Sequence, residues 1–260
     1  MNSDSQNLKL LHDHQLALLK YLIKVADDNK IHYLLIGGTL LGAVRHNGFI
    51  PWDDDVDVGF TRENFKKIIS VLKNKKDNQF GVFEPDNLNY PFAFGRLYDK
   101  QLEFTGPAGK ENVFIDLIPL DERPKYFRNF WLYNRMIIIK DGFFGSSNFV
   151  KKIGNLPIVL LAKIIPRKNL INFRNKITTE IAPDQYLYNW SSPYLLKEKY
   201  NKQNLDQFIK NKFENLTVNI PKNYQEILEQ QYGDWKKIPE KSEQRTHFPL
   251  ESIKIVSNDK

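Results

Sequence analysis

The sequence predicts an α+β fold, a small mixed sheet flanked by helices and followed by a basic helical second half, and three observations predict it. Ile31 to Ile36 is a short apolar run closed by Gly37-Gly38, the form of a buried strand entering a tight turn. Asp55 to Phe60 alternates acid and apolar, as a strand with two different faces does. Near Asp121 to Pro124 mixed strand and helix patterning gives way to helical patterning, dividing the chain into a core, 1–121, and a basic helical region, 122–260.

The elements follow in order. Leu8, Leu11, Leu18, Leu19, Leu22, Ile23 and Ala26 recur at three- and four-residue steps, so Asp4 to Asp28 reads as a helix with one apolar stripe. After the first strand, a short helix runs from Thr39 to about His46, and Gly48 to Pro51 is loop. Thr61 caps a helix that turns Phe65, Ile68, Ile69 and Leu72 inward. Further strands are expected at Phe80 to Glu84, Phe92 to Tyr98, Gln101 to Thr105 and Val113 to Leu117, with helices from Pro119 to the end.

Composition narrows the chemistry. The 260 residues are 41% hydrophobic and 27% charged, ordinary for a folded soluble domain, and contain no cysteine, which excludes thiolate nucleophiles, disulfides and zinc-thiolate sites. The N-terminus lacks the basic-then-apolar order of a secretory signal, and Leu156 to Ile165 falls short of the roughly 20 residues that span a bilayer, so a cytoplasmic location is expected. The formal charge of +7 is uneven: Glu122 to Glu180 holds twelve Lys/Arg against three acids. Mixed with apolar residues, that block could face anionic lipid, a polyanionic glycan or nucleic acid, or be a solvated helical surface.

The densest chemical signal is PWDDDVDVGF, Pro51 to Phe60. On a strand, residues two apart point the same way, so Asp55 and Asp57, with Asp53, share one face while Val56 and Val58 enter the core and Asp54 points elsewhere. Crowded carboxylates repel unless protonated or bridged by a cation, and hard oxygen ligands suit Mg²⁺ or Mn²⁺. Two such ions about 3.5–4 Å apart would clamp the attacking and leaving oxygens of a phosphoryl displacement. A third carboxylate is expected, and Asp116 in VFIDLIP is the candidate, a single acid inside an apolar run. The rival readings of Asp116 are a turn cap before Pro119 or a pairing with an arginine. A calcium loop starting at Asp53 fails at its sixth position, Val58, and its twelfth, Asn64.

Gly37-Gly38-Thr39 at a helix start offers N–H groups and a hydroxyl to phosphate. Arg45 could add bidentate donors, His46 either joins it or caps the helix end, and Arg96 is a phosphate ligand or a surface salt-bridge partner. QQYGDW, Gln230 to Trp235, reads as a helix end stopped by Gly233.

The string GGTLLGAVRHNGFIPWDDDVDVGF, with FIDLIPLD and a terminal YGDW followed by His247, resembles the LicD family of phosphotransferases. Members are similar in their core to nucleotidyltransferases such as DNA polymerase β, so the resemblance implies a nucleotidyltransferase-like core with metal ligands Asp53, Asp55, Asp57 and Asp116. It implies transfer of phosphocholine, or a related phospho-alcohol such as phosphoribitol, from a CDP-linked donor to a hydroxyl of a cell-surface glycan or teichoic acid precursor. Asp116 would help deprotonate that hydroxyl, and Gly37, Gly38, Thr39, Arg45, His46 and Arg96 would line the donor site. Departures from the family pattern are Glu122-Arg123, where many relatives carry glycine, and Thr39, where wider nucleotidyltransferases often carry serine. The expected partners are the donor and a lipid-linked glycan, with segment 122–180 a candidate for peripheral membrane contact and no nucleic acid. The rivals are a nucleotidyltransferase that leaves the nucleotide on the acceptor and a non-catalytic polyanion binder.

Overall fold

The structure is a computed structural model that describes residues 3–75, 77–85, 94–106, 109–140, 156–178, 180–192, 195–205, 207–246, 250 and 253–255. His247 and part of the strand expected from Phe92 lie outside the described residues. Helix α1, Ser3–Asp28, buries Leu11, Leu18, Leu19, Leu22 and Ala26 as its period requires. Strand β1, Leu34–Leu35, is the two-residue remnant of the expected Ile31–Ile36 strand, and α2, Gly37–Arg45, begins two residues before the expected Thr39.

Strand β2, Asp57–Thr61, leads straight into α3, Arg62–Lys75, whose Asn64 N–H donates to Thr61 Oγ1 at 3.4 Å. Phe65, Ile68, Ile69 and Leu72 of α3 are buried, as expected. β3 is Phe80–Phe83, and the two strands expected between Phe92 and Thr105 are one long strand, β4, Gly95–Gly106. It forms a hairpin with β5, Gly109–Asp121, with a register shift between Asp99 and Glu103.

These strands join in a mixed sheet with the order β1-β2-β5-β4-β10, where β10 is Lys254–Ile255. All its pairings are antiparallel except β2 with β5, which run parallel with Asp57 opposite Asp116. A right-handed crossover is the usual route between parallel neighbours, and α3 with the β4–β5 hairpin supplies the chain length for it.

The second half is not helical throughout, contrary to expectation. Helices α4, Phe127–Lys140, α5, Leu156–Ile164, and α6, Arg167–Ile177, are followed by β6, Tyr186–Asn189, β7, Lys199–Asn201, β8, Phe208–Phe213, and β9, Leu216–Pro221. Helix α7, Tyr224–Tyr232, ends at Gly233 as the sequence indicated. The reason lies in a period-two signal, Leu216, Val218 and Ile220 alternating with Thr217 and Asn219, although Asn219 is itself buried, and Glu214 at φ +54° starts a two-residue turn. β6 pairs with the end of β5, and Phe213, Val218 and Ile220 join the main core beside α1 and β2 residues. Strands β6 and β7 thus extend the main sheet and β8 with β9 forms a separate two-stranded sheet packed on its core, while α4, α5 and α6 hold a small core of their own, Met136, Ile137, Ala162, Leu170 and Ile171.

Candidate active site at the acidic edge of the sheet

Exposure alternates along the acidic motif. Asp54, Val56 and Val58 are buried at 0%, 1% and 0%, while Asp53, Asp55 and Asp57 stay partly exposed. The even-numbered set thus enters the core and the odd-numbered acids occupy the other side, although only Asp57 lies within β2. Asp54 instead lines a small cavity together with Leu11, Gln15, Phe104 and Phe114.

Register brings the distant residues in. Asp57 is paired with Asp116 across the parallel β2–β5 ladder, and the Asp116 N–H donates to Val56 O at 2.8 Å. On the other side of β5, Arg96 of β4 is the cross-strand partner of Asp116. Neighbours in register point to the same face, so three charged side chains stand in a row. Arg96 Nε donates to Asp116 Oδ1 at 2.8 Å and Nη1 donates to Glu111 Oε2 at 3.0 Å, with its guanidinium 3.6 Å from the centroid of the Phe114 ring. Arg96 is 5% exposed, so its ion pairs are interior rather than the surface salt bridge weighed from sequence. Asp116 does pair with an arginine and also faces Asp57.

The Gly-Gly turn lies against the acids. Gly37 adopts φ +55°, a region open to glycine at no steric cost, and a Cβ there would stand 3.1 Å from Asp57 Oδ2. At Gly38 the same atom would stand 3.0 Å from Asp53 Oδ2. The first turn of α2 has no side-chain cap from Ile36, and Thr39 Oγ1 accepts the Asp57 N–H at 2.8 Å. Carboxylates are favoured at such a helix N-terminus, where the N–H groups carry partial positive charge.

Arg45 and His46 are not brought to that turn. They lie at the opposite end of α2, about 12 Å along the helix axis from Gly37 at 1.5 Å per residue. Arg45 Nε donates to His46 Nε2 at 2.9 Å, and Nη1 donates to the carbonyls of Trp235 and Lys237 at 2.9 and 3.2 Å. The YGDW segment is thereby tied to α2. His46 is neutral in this arrangement, its pKa lowered by burial and then by the adjacent Arg45.

Four contributors were not assigned from the sequence. Glu198, 3% exposed, has Oε1 3.9 Å from the same Gly37 Cβ position and accepts there from Asn189 Nδ2 at 3.0 Å and the Tyr200 hydroxyl at 3.2 Å. His12 of α1 donates through Nε2 to Asp53 O at 2.7 Å and stacks on Phe49 at 3.9 Å. Gln15 Nε2 donates to Asp54 O at 2.8 Å. From the opposite side, Glu214 at the β8–β9 turn accepts the Phe49 N–H at 3.1 Å and donates its own N–H to Asn47 O at 2.8 Å. Gln15 alone left a trace, as a polar residue inside the apolar stripe of α1.

Like charges crowd this cluster, and Arg96 offsets them at Asp116. Burial pushes the Asp57 carboxyl well above the usual range, and Asp55, Asp116, Glu198 and Asp53 push it the same way. Asp116 is raised to about 6, chiefly by burial and with Asp55 and Glu111 adding to it, against the opposing pull of Arg96. Glu198 is raised by burial against hydrogen bonds from Ser192, Asn189 and Tyr200. Among the described residues no three His, Cys, Asp or Glu side chains form a ready-made metal cage. The fit to a hard divalent cation is one of donor type, shared face and excess negative charge.

The family model described as LicD/FKTN/FKRP, nucleotidyltransferase domain, matches residues 30–149. The Lipopolysaccharide cholinephosphotransferase LicD of Haemophilus influenzae is 28% identical over 256 residues, covering 91% of this chain and 94% of that protein. The Ribitol 5-phosphate transferase FKRP of Homo sapiens is 47% identical over 45 residues, 17% of this chain and 9% of that protein. A crystal structure of ANT(2")-Ia in complex with adenylyl-2"-tobramycin aligns at 14% identity over 64% of this chain and 97% of that one, with a TM-score of 0.28, too low to bear on fold or chemistry.

Proposed function

We propose that this chain is a LicD-type phosphotransferase that moves a phospho-alcohol, phosphocholine or a relative such as phosphoribitol, from a CDP-linked donor onto a hydroxyl of a cell-surface glycan precursor. The observation that carries the reading is the row in which Asp57 and Asp116 stand opposite one another across β2 and β5, beside the Gly37-Gly38 turn. A partly buried cluster of like charges repels itself, and a bound cation would relieve that repulsion.

Asp55, Asp57 and Asp116 would hold Mg²⁺ or Mn²⁺, with Asp53 in support. When bound, such an ion neutralises the donor diphosphate and polarises its oxygens. The chain's own groups do the rest. The uncapped first turn of α2 presents the N–H groups of Gly37, Gly38 and Thr39 to phosphate. Arg96 orients Asp116 by a charge-assisted hydrogen bond.

Asp116, held in place by Arg96, helps take the proton of the acceptor hydroxyl. The acceptor oxygen then bonds to the phosphorus bearing the alcohol, the bond from that phosphorus to the bridging oxygen breaks, and CMP leaves. Arg45, bonded to the Trp235 and Lys237 carbonyls, reaches phosphate only by trading those partners, so its part in donor binding is smaller than the sequence suggested.

A panel of CDP-linked alcohols, incubated with the protein, a divalent cation and a glycan acceptor, tests this by CMP release. Pyrophosphate formed from a nucleoside triphosphate, with no CMP from any CDP-alcohol, would establish the nucleotidyltransferase instead.

A further inference from the structure

Exposed apolar side chains are unevenly placed. Of the ten large hydrophobic residues exposed among the described residues, six lie between Tyr126 and Ile181. All of these but Ile181 fall within Glu122 to Glu180, where twelve Lys/Arg meet three acids. Helix α5 is the sharpest case, with Leu160, Leu161 and Ile164 exposed at 51%, 45% and 77%. Steps of three and four residues place them on one side, while Ala162 turns inward to Met136 and Leu170. Lys163 is exposed within this row and Lys168 just beyond it in α6. A helix packed on a globular core normally shows the reverse, charge outward and aliphatics inward.

We propose that α5 and the start of α6 dock this protein on the surface of an anionic lipid bilayer. Leu160, Leu161 and Ile164 enter the boundary between headgroups and acyl chains, and Lys163 and Lys168 reach the headgroup phosphates along their aliphatic stems. Charge and apolarity together select this occupant. A polar polyanion engages the lysines but gives the aliphatic row nothing to enter. A second copy in a two-fold contact sets a strongly basic segment against itself. An anionic bilayer satisfies both features at once, and its fluid surface needs no shaped groove. No helix among the described residues is long and apolar enough to cross a membrane, so contact is with one face.

The test is co-sedimentation of the full chain with phosphatidylcholine vesicles, with and without phosphatidylglycerol. The chain is expected to sediment with the anionic vesicles only. Each of Lys163→Glu and Lys168→Glu lowers partitioning about fivefold or more, the contribution of one cation near such a surface. Leu161→Glu with Ile164→Glu lowers it at least about tenfold and leaves turnover on a water-soluble acceptor unchanged, since both side chains project away from the folded core. Wild-type protein left in the supernatant with both vesicle types overturns the proposal, as does a doubly substituted protein that sediments like wild type. Self-association lost in Ile164→Glu, without vesicle binding by the wild type, assigns the face to a second copy and also overturns it. If circular dichroism shows the double variant unfolded, Ile164→Ser in the same assay decides.

Discussion

At the acidic edge of the sheet, Val56 and Val58 are buried and the charges beside them are held close by backbone register, hydrogen bonds and the Gly37-Gly38 turn. On α5 the arrangement is inverted, with Leu160, Leu161 and Ile164 outside and a small core of Met136, Ile137, Ala162, Leu170 and Ile171 beneath. Both regions depart from the ordinary rule of apolar inside and charge dispersed. They depart in opposite directions. The first keeps charge where it is unfavourable, and the second keeps apolar surface where it is unfavourable. Each departure names the chemistry that would relieve it, a cation with phosphate in one case and lipid in the other.

The comparison breaks most sharply at Asp57. Asp57→Asn, like Asp55→Asn, is expected to lower CMP release by about 10³-fold or more, with thermal stability of the metal-free protein unchanged or raised. The gain in stability follows from removing repulsion among Asp57, Asp55, Asp116 and Glu198. Retained turnover with a divalent cation would falsify the assignment of the motif.

Next in size is Arg96→Met. It strips the partner from Asp116 and Glu111 inside the sheet, a change worth about 3–5 kcal/mol when a buried pair loses one member. Urea unfolding measures it. A loss under about 1 kcal/mol would mean that water reaches these carboxylates freely.

Glu214→Ala is expected to cost about 1–2 kcal/mol by leaving the Phe49 N–H unpaired and loosening the loop ahead of the acids. Its effect on turnover should exceed its effect on stability if that loop aims Asp53 and Asp55. Equal donor affinity and rate in the variant would show that the loop is held adequately from the α1 side alone.

The smallest effect is in pH. Asp57 and Asp116 have folded pKa values above the ordinary 3.8, Asp116 at about 6, so the folded state binds their protons more tightly than the unfolded chain. Their contribution to stability is therefore full below 3.8 and lost as pH rises through the folded values. In chelator, wild type should lose stability relative to Asp57→Asn as pH rises above about 4. Parallel profiles would show that the cluster is solvated. By contrast, Leu161→Glu with Ile164→Glu should change unfolding stability by less than about 0.5 kcal/mol.

Legibility followed the distance over which each feature is encoded. The alternation of Asp53, Asp55 and Asp57 with buried Asp54, Val56 and Val58 is a property of adjacent residues on an extended chain, so the sequence displays it. Asp116 could be suspected because an acid in VFIDLIP needs a reason. That its partner would be Arg96, on the neighbouring strand, could not be read from either segment. Glu198 and His12 left no local mark at all, because each meets the site through a contact spanning the fold. The strands at 186–221 were misread as helix because their alternation is short and interrupted by Lys and Asn.

By itself the sequence determined which residues carry the charge, which of them share a side of the strand, and that a Gly-Gly turn precedes them, since period and backbone freedom are local. Only the tertiary structure decided that Asp116 stands opposite Asp57, that Arg45 is spent at the far end of α2, and that Glu198 closes the site from behind. Those outcomes depend on strand register and on which distant surfaces bury one another, and no short window of residues contains that information.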